Sequence, residues 1–137
     1  MQHILTKELF SVFPEEDMCY RWIDVEQGIT VKEVLNYKGP EKSYSNDYKI
    51  KYTEDLINNR IEHIQRIRSI MRISHLLWKP ISLDMDWTTS EPVLEDGHHR
   101  TFAASIMKLD TIPVEWSGYK EIMKLNFPKS FQLGLMF

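Results

Sequence analysis

The 137-residue chain is poor in the features that mark several protein classes. It has one cysteine, Cys19, so neither an internal disulfide nor a zinc site made of several thiolates can form. No apolar run approaches the roughly 18 to 20 residues that a helix needs to span a bilayer. Residues 1–8 lack the basic start and long apolar stretch of a secretory signal. These absences predict a cytoplasmic protein with no membrane segment.

Apolar material is nevertheless sufficient for a folded core. Hydrophobic residues make up 42% of the chain and charged residues 27%, which excludes general disorder. The length is that of one domain. We therefore predict a single domain over 1–137, with a variable N-terminal part over 1–52, a long basic helix over 53–78, a core segment over 79–117 and an apolar tail over 118–137.

The net charge of −3 conceals a basic island in the middle of the chain. Residues 60–79 hold five Lys or Arg and one acidic residue, whereas the stretches on both sides are acidic. Such an island suits phosphate or nucleic acid, although helix faces are also basic for solubility alone. The candidate nucleic-acid contacts are Arg66, Arg68, Arg72 and Lys79.

Short elements are predicted in the N-terminal part. A helix over Lys7–Val12 has to end near Pro14, and a strand is predicted over Cys19–Val25. The stretch Thr30–Glu33 is a capping box that starts a second short helix. Glu41–Lys51 is the most polar stretch of the chain and is typical of a surface loop.

From Thr53 the pattern predicts a long amphipathic helix that ends before Pro80, with Thr53 as its N-cap. Apolar residues recur at intervals of three and four, which predicts a buried stripe packed against a sheet. The stripe consists of Ile57, Ile61, Ile64, Ile67 and Met71.

The second half of the chain alternates strands and helices. Strands are predicted over Pro80–Met85, Val93–Asp96 and Ile112–Trp116, and a helix over Thr101–Leu109. Pro113 favours a sheet edge for the last strand. Together with the long helix, these elements predict an α/β (α+β) fold with a small mixed sheet.

The end of the chain is predicted to form a short helix before Pro128, followed by an apolar tail. The tail contains Phe131, Leu133, Leu135, Met136 and Phe137. Because five exposed large apolar side chains would promote aggregation, we expect the tail to dock on the body or on a second copy of the chain as a homodimer.

Residues 95–100, Glu-Asp-Gly-His-His-Arg, concentrate most of the chemistry, between a predicted strand and a predicted helix. The amides at a helix N-terminus and the helix dipole favour anions. Gly97 lets the backbone approach a ligand closely, and Arg100 can bind a phosphate with two parallel hydrogen bonds. The stretch therefore predicts a phosphate-binding turn.

The same turn supplies candidate catalytic groups, namely Glu95, Asp96, His98 and His99. Asp96 is the candidate magnesium ligand, and the imidazoles can donate to phosphate or move a proton near neutral pH. The alternative is an ordinary turn in which Asp96 caps the helix and the histidines are solvated. A zinc site has less support, because adjacent histidines point in different directions.

Residues 79–117 resemble the central segment of the ParB/sulfiredoxin superfamily. The resemblance rests on Pro-Ile-Ser-Leu at 80–83, Val-Leu-Glu-Asp-Gly-His-His-Arg-Thr-Phe-Ala-Ala at 93–104 and Leu-Asp-Thr-Ile-Pro-Val at 109–114. In that family a Gly-x-x-Arg turn starts a helix and binds nucleotide phosphates. The resemblance implies a phosphate-binding role for Gly97, His98, His99, Arg100 and the adjacent Thr101.

The family has several activities, and the sequence distinguishes among them. Sulfiredoxin-type chemistry needs a cysteine inside the turn, where this chain has His98. Chromosome-partitioning members carry a helix-turn-helix and a dimerisation domain, and the roughly 20 residues after 117 are too few for either. The resemblance to the remaining members implies a protein that binds nucleotide or DNA phosphates and acts as a metal-dependent nuclease or nucleotide hydrolase. Its cofactors would be Mg2+ and a nucleotide such as ATP, ADP or CTP.

Two alternatives stay open. One is a small-molecule kinase resembling free serine kinases, whose upstream glutamate would be Glu54 or Glu62. The other is a non-catalytic DNA- or protein-binding module of the kind that phages or mobile elements encode.

Overall fold

A computed structural model describes residues 2–14, 28–45, 48–50 and 55–136. These residues form a mixed four-stranded sheet and six α-helices, which confirms the predicted α+β class. The strands are β1 (His3–Leu5), β2 (Ile81–Met85), β3 (Pro92–Asp96) and β4 (Thr111–Trp116). The helices are α1 (Thr6–Val12), α2 (Val31–Asn36), α3 (Leu56–Met71), α4 (His98–Met107), α5 (Lys120–Asn126) and α6 (Pro128–Gln132). No helix in the described part of the chain has the length and apolar character required to cross a membrane.

The strands lie in the order β1-β4-β2-β3. β4 is antiparallel to β1 and parallel to β2, and β2 is antiparallel to β3. The predicted edge position of β4 is therefore wrong, because this strand lies inside the sheet. Pro113 is tolerated there because β2 pairs with β4 only from Val114 onward, so the missing proline N–H lies outside that ladder.

The capping box at Thr30 is confirmed. The Glu33 amide donates to the Thr30 hydroxyl oxygen at 3.2 Å, and the Thr30 amide donates to the Glu33 carboxylate at 3.3 Å. The predicted first helix is also confirmed, since α1 ends just before Pro14. The predicted strand over Cys19–Val25 lies outside the described residues.

Helix α3 is shorter than predicted. Asp55 is its N-cap and accepts a hydrogen bond from the Asn58 amide at 3.1 Å, while the predicted cap, Thr53, lies outside the described residues. The helix ends at Met71, and a short 3-10 helix follows over His75–Leu77. After the 3-10 helix the chain returns to the core at Trp78, which is 6% exposed.

The buried stripe of α3 differs from the predicted one. Ile64, Ile67 and Ile70 belong to the hydrophobic core, whereas Ile57 is 73% exposed and Met71 is only partly buried. Polar residues share the buried surface with the isoleucines, namely Asn59, His63, Gln65, Arg66 and Ser69. The hydrophobic period alone did not reveal them, because α3 packs most closely on another helix, α4, and is also covered by the segment 37–45.

Helix α4 begins at His98, three residues earlier than predicted. Its N-cap, Gly97, has φ +107°, a left-handed conformation that side chains rarely adopt. The glycine also lies directly against Ile81 of β2. His98, His99 and Arg100 therefore form the first turn of a helix rather than a loop in front of it.

The C-terminal tail docks on its own chain. The His3 amide donates to the Leu135 carbonyl at 2.9 Å, and the Glu8 carboxylate accepts from the amides of Lys129 and Ser130 at 2.9 and 2.6 Å. Met136 is fully buried. Docking on the body thus follows one of the two predicted arrangements, and the homodimer stays a prediction.

We expect Gly97→Ala to destabilise the fold by about 2 to 4 kcal/mol, because it adds left-handed strain and places a methyl group 2.8 Å from Ile81 Cβ. The matched control is Gly134→Ala. Gly134 has φ +73° but no neighbour within 4 Å of the added carbon, so only backbone strain of about 1 kcal/mol applies. Urea unfolding of both variants checks this, and equal losses would contradict the close approach to Ile81.

Candidate functional site

The packing of α3 on α4 brings residues from two distant parts of the sequence to the predicted turn. α3 contributes His63 and Arg66, and the first turn of α4 contributes His99 and Arg100. We call these four residues, together with Asp96 at the end of β3, the His–Arg cluster. The sequence pattern predicted Arg66 as part of a basic surface and His99 and Arg100 as part of the turn, in separate sites.

Two histidines face each other across the helix interface. His63 Nδ1 and His99 Nε2 lie 2.8 Å apart, and the two rings are stacked with centroids 5.1 Å apart. Because this contact needs one donor and one acceptor, it requires at least one neutral ring. Burial, followed by the charges of His63 and Arg66, lowers the pKa of His99 well below 6.5. His99 is therefore neutral at physiological pH.

Arg66 is a buried cation with incomplete compensation. It is 8% exposed, its Nη1 donates to the Ser45 carbonyl at 2.8 Å, and its guanidinium carbon lies 5.7 Å from the centre of the Tyr44 ring. No carboxylate of the described residues is at ion-pair distance from it. Burial, and next the charge of Arg100, lowers the pKa of Arg66.

Arg100 holds the turn to the sheet. Its Nη1 donates to the carbonyl oxygens of Lys79 and, at 2.8 Å, Pro80, and its Nη2 donates to Asp96 at 3.1 Å. It is 8% exposed, and burial lowers its pKa against the opposing effect of Asp96. The guanidinium therefore fixes the entry into β2. Its predicted bidentate phosphate contact stays a prediction.

The remaining turn residues divide by exposure. Asp96 and Glu95 are exposed, but they are neighbours in a strand, so their side chains point to opposite faces. His98 is partly exposed. Thr101 is fully buried and its hydroxyl donates to the Gly97 carbonyl at 2.8 Å, which places it behind the turn rather than at its surface.

Asp96 is the carboxylate that can serve a metal ion at this site. Among the described residues there is no group of three or more His, Cys, Asp or Glu side chains suited to a metal. Magnesium is commonly bound through one or two carboxylates together with substrate phosphates and water. Asp96 therefore fits Mg2+ only if a phosphate ligand supplies further oxygens.

The outer part of the basic island is paired with acidic residues. Arg60 forms an ion pair with Glu33, and Arg68 and Arg72 both bind Glu41. Hydrogen bonds from Arg60 and Arg68 hold the pKa values of Glu33 and Glu41, respectively, below their usual range. Of the four predicted nucleic-acid contacts, Lys79 is exposed, Arg68 and Arg72 share one carboxylate, and Arg66 is enclosed in the cluster.

Sequence reasoning missed His63 as a member of the site. The spacing of His63 and Arg66 puts both on one face of a helix, which was a usable signal. The identity of the surface opposite that face could not be read, because it depends on the packing of α3 on α4. Of the two glutamates proposed for a kinase, Glu54 lies outside the described residues and Glu62 accepts a hydrogen bond from the Tyr48 hydroxyl at 2.8 Å.

Comparison of the chain with protein-family models, curated proteins and solved structures returns no match. The resemblance of residues 79–117 to the ParB/sulfiredoxin superfamily therefore stays a prediction.

The lowered pKa of His99 predicts acid sensitivity. Below about pH 6.5 the unfolded chain binds a proton at this position and the folded chain does not. The free energy of unfolding therefore decreases by up to about 1.4 kcal/mol for each unit by which the pH is lowered. Above that pH the contribution is constant. His99→Gln should remove this part of the pH dependence, whereas His75→Gln, on the 3-10 helix, should keep it.

Urea unfolding of the three proteins at pH 7.5, 6.5 and 5.5 measures the effect. If the free energy of unfolding of His99→Gln differs from wild type by the same amount at all three pH values, His99 is not held neutral.

Proposed function

We propose that the chain binds the phosphate groups of a nucleotide, or of nucleic acid, at the N-terminus of α4, against the His–Arg cluster. The observation that carries this proposal is the burial of Arg66 and Arg100 side by side, each 8% exposed, with Asp96 as the carboxylate paired with one of them. Two buried cations and one largely exposed anion leave positive charge that an oxyanion would balance.

The electrostatics of this arrangement favour a bound anion. Bringing charged groups out of water is costly unless opposite charges compensate them, and a like charge nearby adds to the cost. The dipole of the ten-residue helix α4 adds partial positive charge at the same place. In an α-helix the first amides lack carbonyl partners within the helix, and Gly97 has no side chain to cap them.

The environment of Arg66 favours a small ligand over a DNA backbone. A DNA-binding surface neutralises several successive phosphates with exposed Lys and Arg side chains. Here the exposed Arg72 and the partly exposed Arg68 are bound to Glu41, while Arg66 lies under the Ser45 carbonyl and the Tyr44 ring. A terminal phosphate presents one compact anion rather than a row of charges, which suits a single enclosed pair of arginines, so a nucleotide is the preferred ligand.

Hydrolysis of that nucleotide is the activity we propose for the site. Asp96 is exposed beside the turn and can share a Mg2+ ion with a bound phosphate, in which case the metal would polarise the phosphoryl oxygens. His98, which is partly exposed, would donate a hydrogen bond to the phosphate, and His99 would do so only through Nδ1, because its Nε2 faces His63. Glu95 is the second carboxylate near the turn, on the opposite face of its strand.

Isothermal titration calorimetry with ATP, ADP and CTP, with and without Mg2+, tests the binding. We expect Arg66→Gln to weaken nucleotide binding at least about tenfold, equivalent to about 1.4 kcal/mol. The matched control is Arg68→Gln, which changes an arginine of the same helix that is paired with Glu41, and its affinity should stay within about twofold of wild type.

Absence of binding by every nucleotide, or equal losses in both variants, would refute the proposal. Salt-dependent binding of plasmid DNA that weakens with Arg68→Gln and not with Arg66→Gln would instead indicate a nucleic-acid surface on the outer face of α3.

A second assay measures phosphate release from the nucleotide that binds. Asp96→Asn should retain nucleotide binding within a few-fold and lose the Mg2+-dependent release of phosphate. Undiminished release in this variant would remove Asp96 from the role of metal ligand.

A further inference from the structure

A cleft of about 1130 Å3 lies at the other end of α4 from the His–Arg cluster. Its walls come from the start of α1, the C-terminal half of α4 with the turn after it, and the junction of α5 and α6. Ala104, the first residue of α4 in its lining, is seven residues after Gly97, about 10 Å along the helix at 1.5 Å per residue. It is therefore a different site from the proposed phosphate site.

The floor and rim of the cleft are largely apolar. Leu5, Ala104, Leu109 and Leu125 line it, and Leu125 is 76% exposed at its edge. Ligand pockets usually enclose 300 to 1,000 Å3 and combine an apolar lining with a few polar groups. At about 1130 Å3 this open cleft exceeds that range, so a small organic ligand with a hydrocarbon body would fill only part of it.

One polar group of the wall lacks a partner. Thr6 is 7% exposed, and its hydroxyl has no hydrogen-bond partner among the described residues. A buried hydroxyl is normally hydrogen-bonded. Its oxygen atom is itself buried, so the hydroxyl lies within the wall rather than on the surface that a ligand would touch.

The charges around the cleft favour an anionic head group. Three lysines from three different elements line it, namely Lys7, Lys108 and Lys129. The lining also contains two acidic residues, but Glu8 accepts the amides of Lys129 and Ser130 and the Ser130 hydroxyl, so its oxygen atoms are occupied. Glu8 keeps its negative charge while it accepts these hydrogen bonds, so the lining carries three ammonium groups against two carboxylates, a net charge of +1.

We propose that this cleft binds a small amphipathic carboxylate, with its hydrocarbon part against the leucines and its carboxylate group against the lysines. Apolar burial supplies the affinity and the lysines determine the sign of the head group. A neutral or cationic compound of the same chain length is expected to bind more weakly.

Fluorescence titration of the full chain with 8-anilinonaphthalene-1-sulfonate, followed by displacement with decanoate below its micelle concentration, tests the proposal. Binding should saturate at one probe molecule per chain, and decanoate should displace the probe at least about tenfold more effectively than 1-decanol or decyltrimethylammonium. Nucleotides should not displace it, which keeps the result independent of the proposed function.

Two variants locate the site. Lys7→Glu, in the first turn of α1 where an acidic residue suits the helix, and Leu125→Glu, at an exposed position, should each weaken decanoate binding at least about fivefold. The matched controls are Lys32→Glu and Leu35→Glu on exposed positions of α2, which should bind like wild type.

Equal losses in the α1 or α5 variants and in the α2 controls would overturn the proposal, as would equal displacement by decanoate and 1-decanol. The absence of a saturable site would overturn it as well.

Discussion

Helix α3 can pack on α4 only by burying polar side chains. Its inner surface carries His63 and Arg66 among the isoleucines, and the first turn of α4 opposes them with His99 and Arg100. Such groups are normally excluded from an interface between helices, because burial removes their hydration. Here the histidines compensate each other by a hydrogen bond, and Arg100 is compensated by two carbonyl oxygens and Asp96. Of the two arginines, Arg66 is the one without a carboxylate at ion-pair distance, and the proposed anion site follows from that imbalance.

The surrounding structure fixes the position of this charge. Gly97 lets α4 begin directly against Ile81, so the first helical turn starts at the sheet. The segment that contains Glu41 and Tyr44 is bound to α3 through Arg68, Arg72 and Ser69, and it brings the Ser45 carbonyl to Arg66. A ligand phosphate would compete with that carbonyl for the same guanidinium. A bound phosphate would thus gain most of its binding energy from Arg66, the buried charge that the folded chain compensates least.

Local signals in the sequence were sufficient for most of the framework. The capping box at Thr30, the proline after α1 and the strand-like stretches of β2 and β3 each act over a few residues, and the structure confirms the resulting elements. The predictions that were wrong depended on distant contacts. Pro113 indicated an edge strand because the sequence shows that proline lacks an N–H. The sequence does not show that β2 pairs with β4 only from Val114 onward, which is why the missing N–H is tolerated. The predicted stripe included Ile57 because a period of 3.6 residues does not show where the packing partner ends.

One half of the candidate site could be predicted from the sequence. The turn at 96–100 was visible from its composition, since carboxylate, glycine, imidazole and guanidinium groups are adjacent in the sequence. Its second wall was not, because His63 and Arg66 lie 30 or more residues earlier and reach the turn through tertiary packing alone. Arg66 was predicted to be one of several exposed charges on a basic surface. In the structure it is buried, and it is the one buried arginine of the described residues that lacks a carboxylate partner.

The most direct test of this account is the free energy of unfolding of Arg66→Met, measured with and without inorganic pyrophosphate. If Arg66 is held uncompensated for an anion, its replacement by an apolar side chain of similar length should leave the ligand-free protein as stable as wild type or more stable. It should also abolish the stabilisation that pyrophosphate gives to wild type, about 2.7 kcal/mol at 100 times the dissociation constant. A variant that is less stable without ligand and equally stabilised by pyrophosphate would contradict the account.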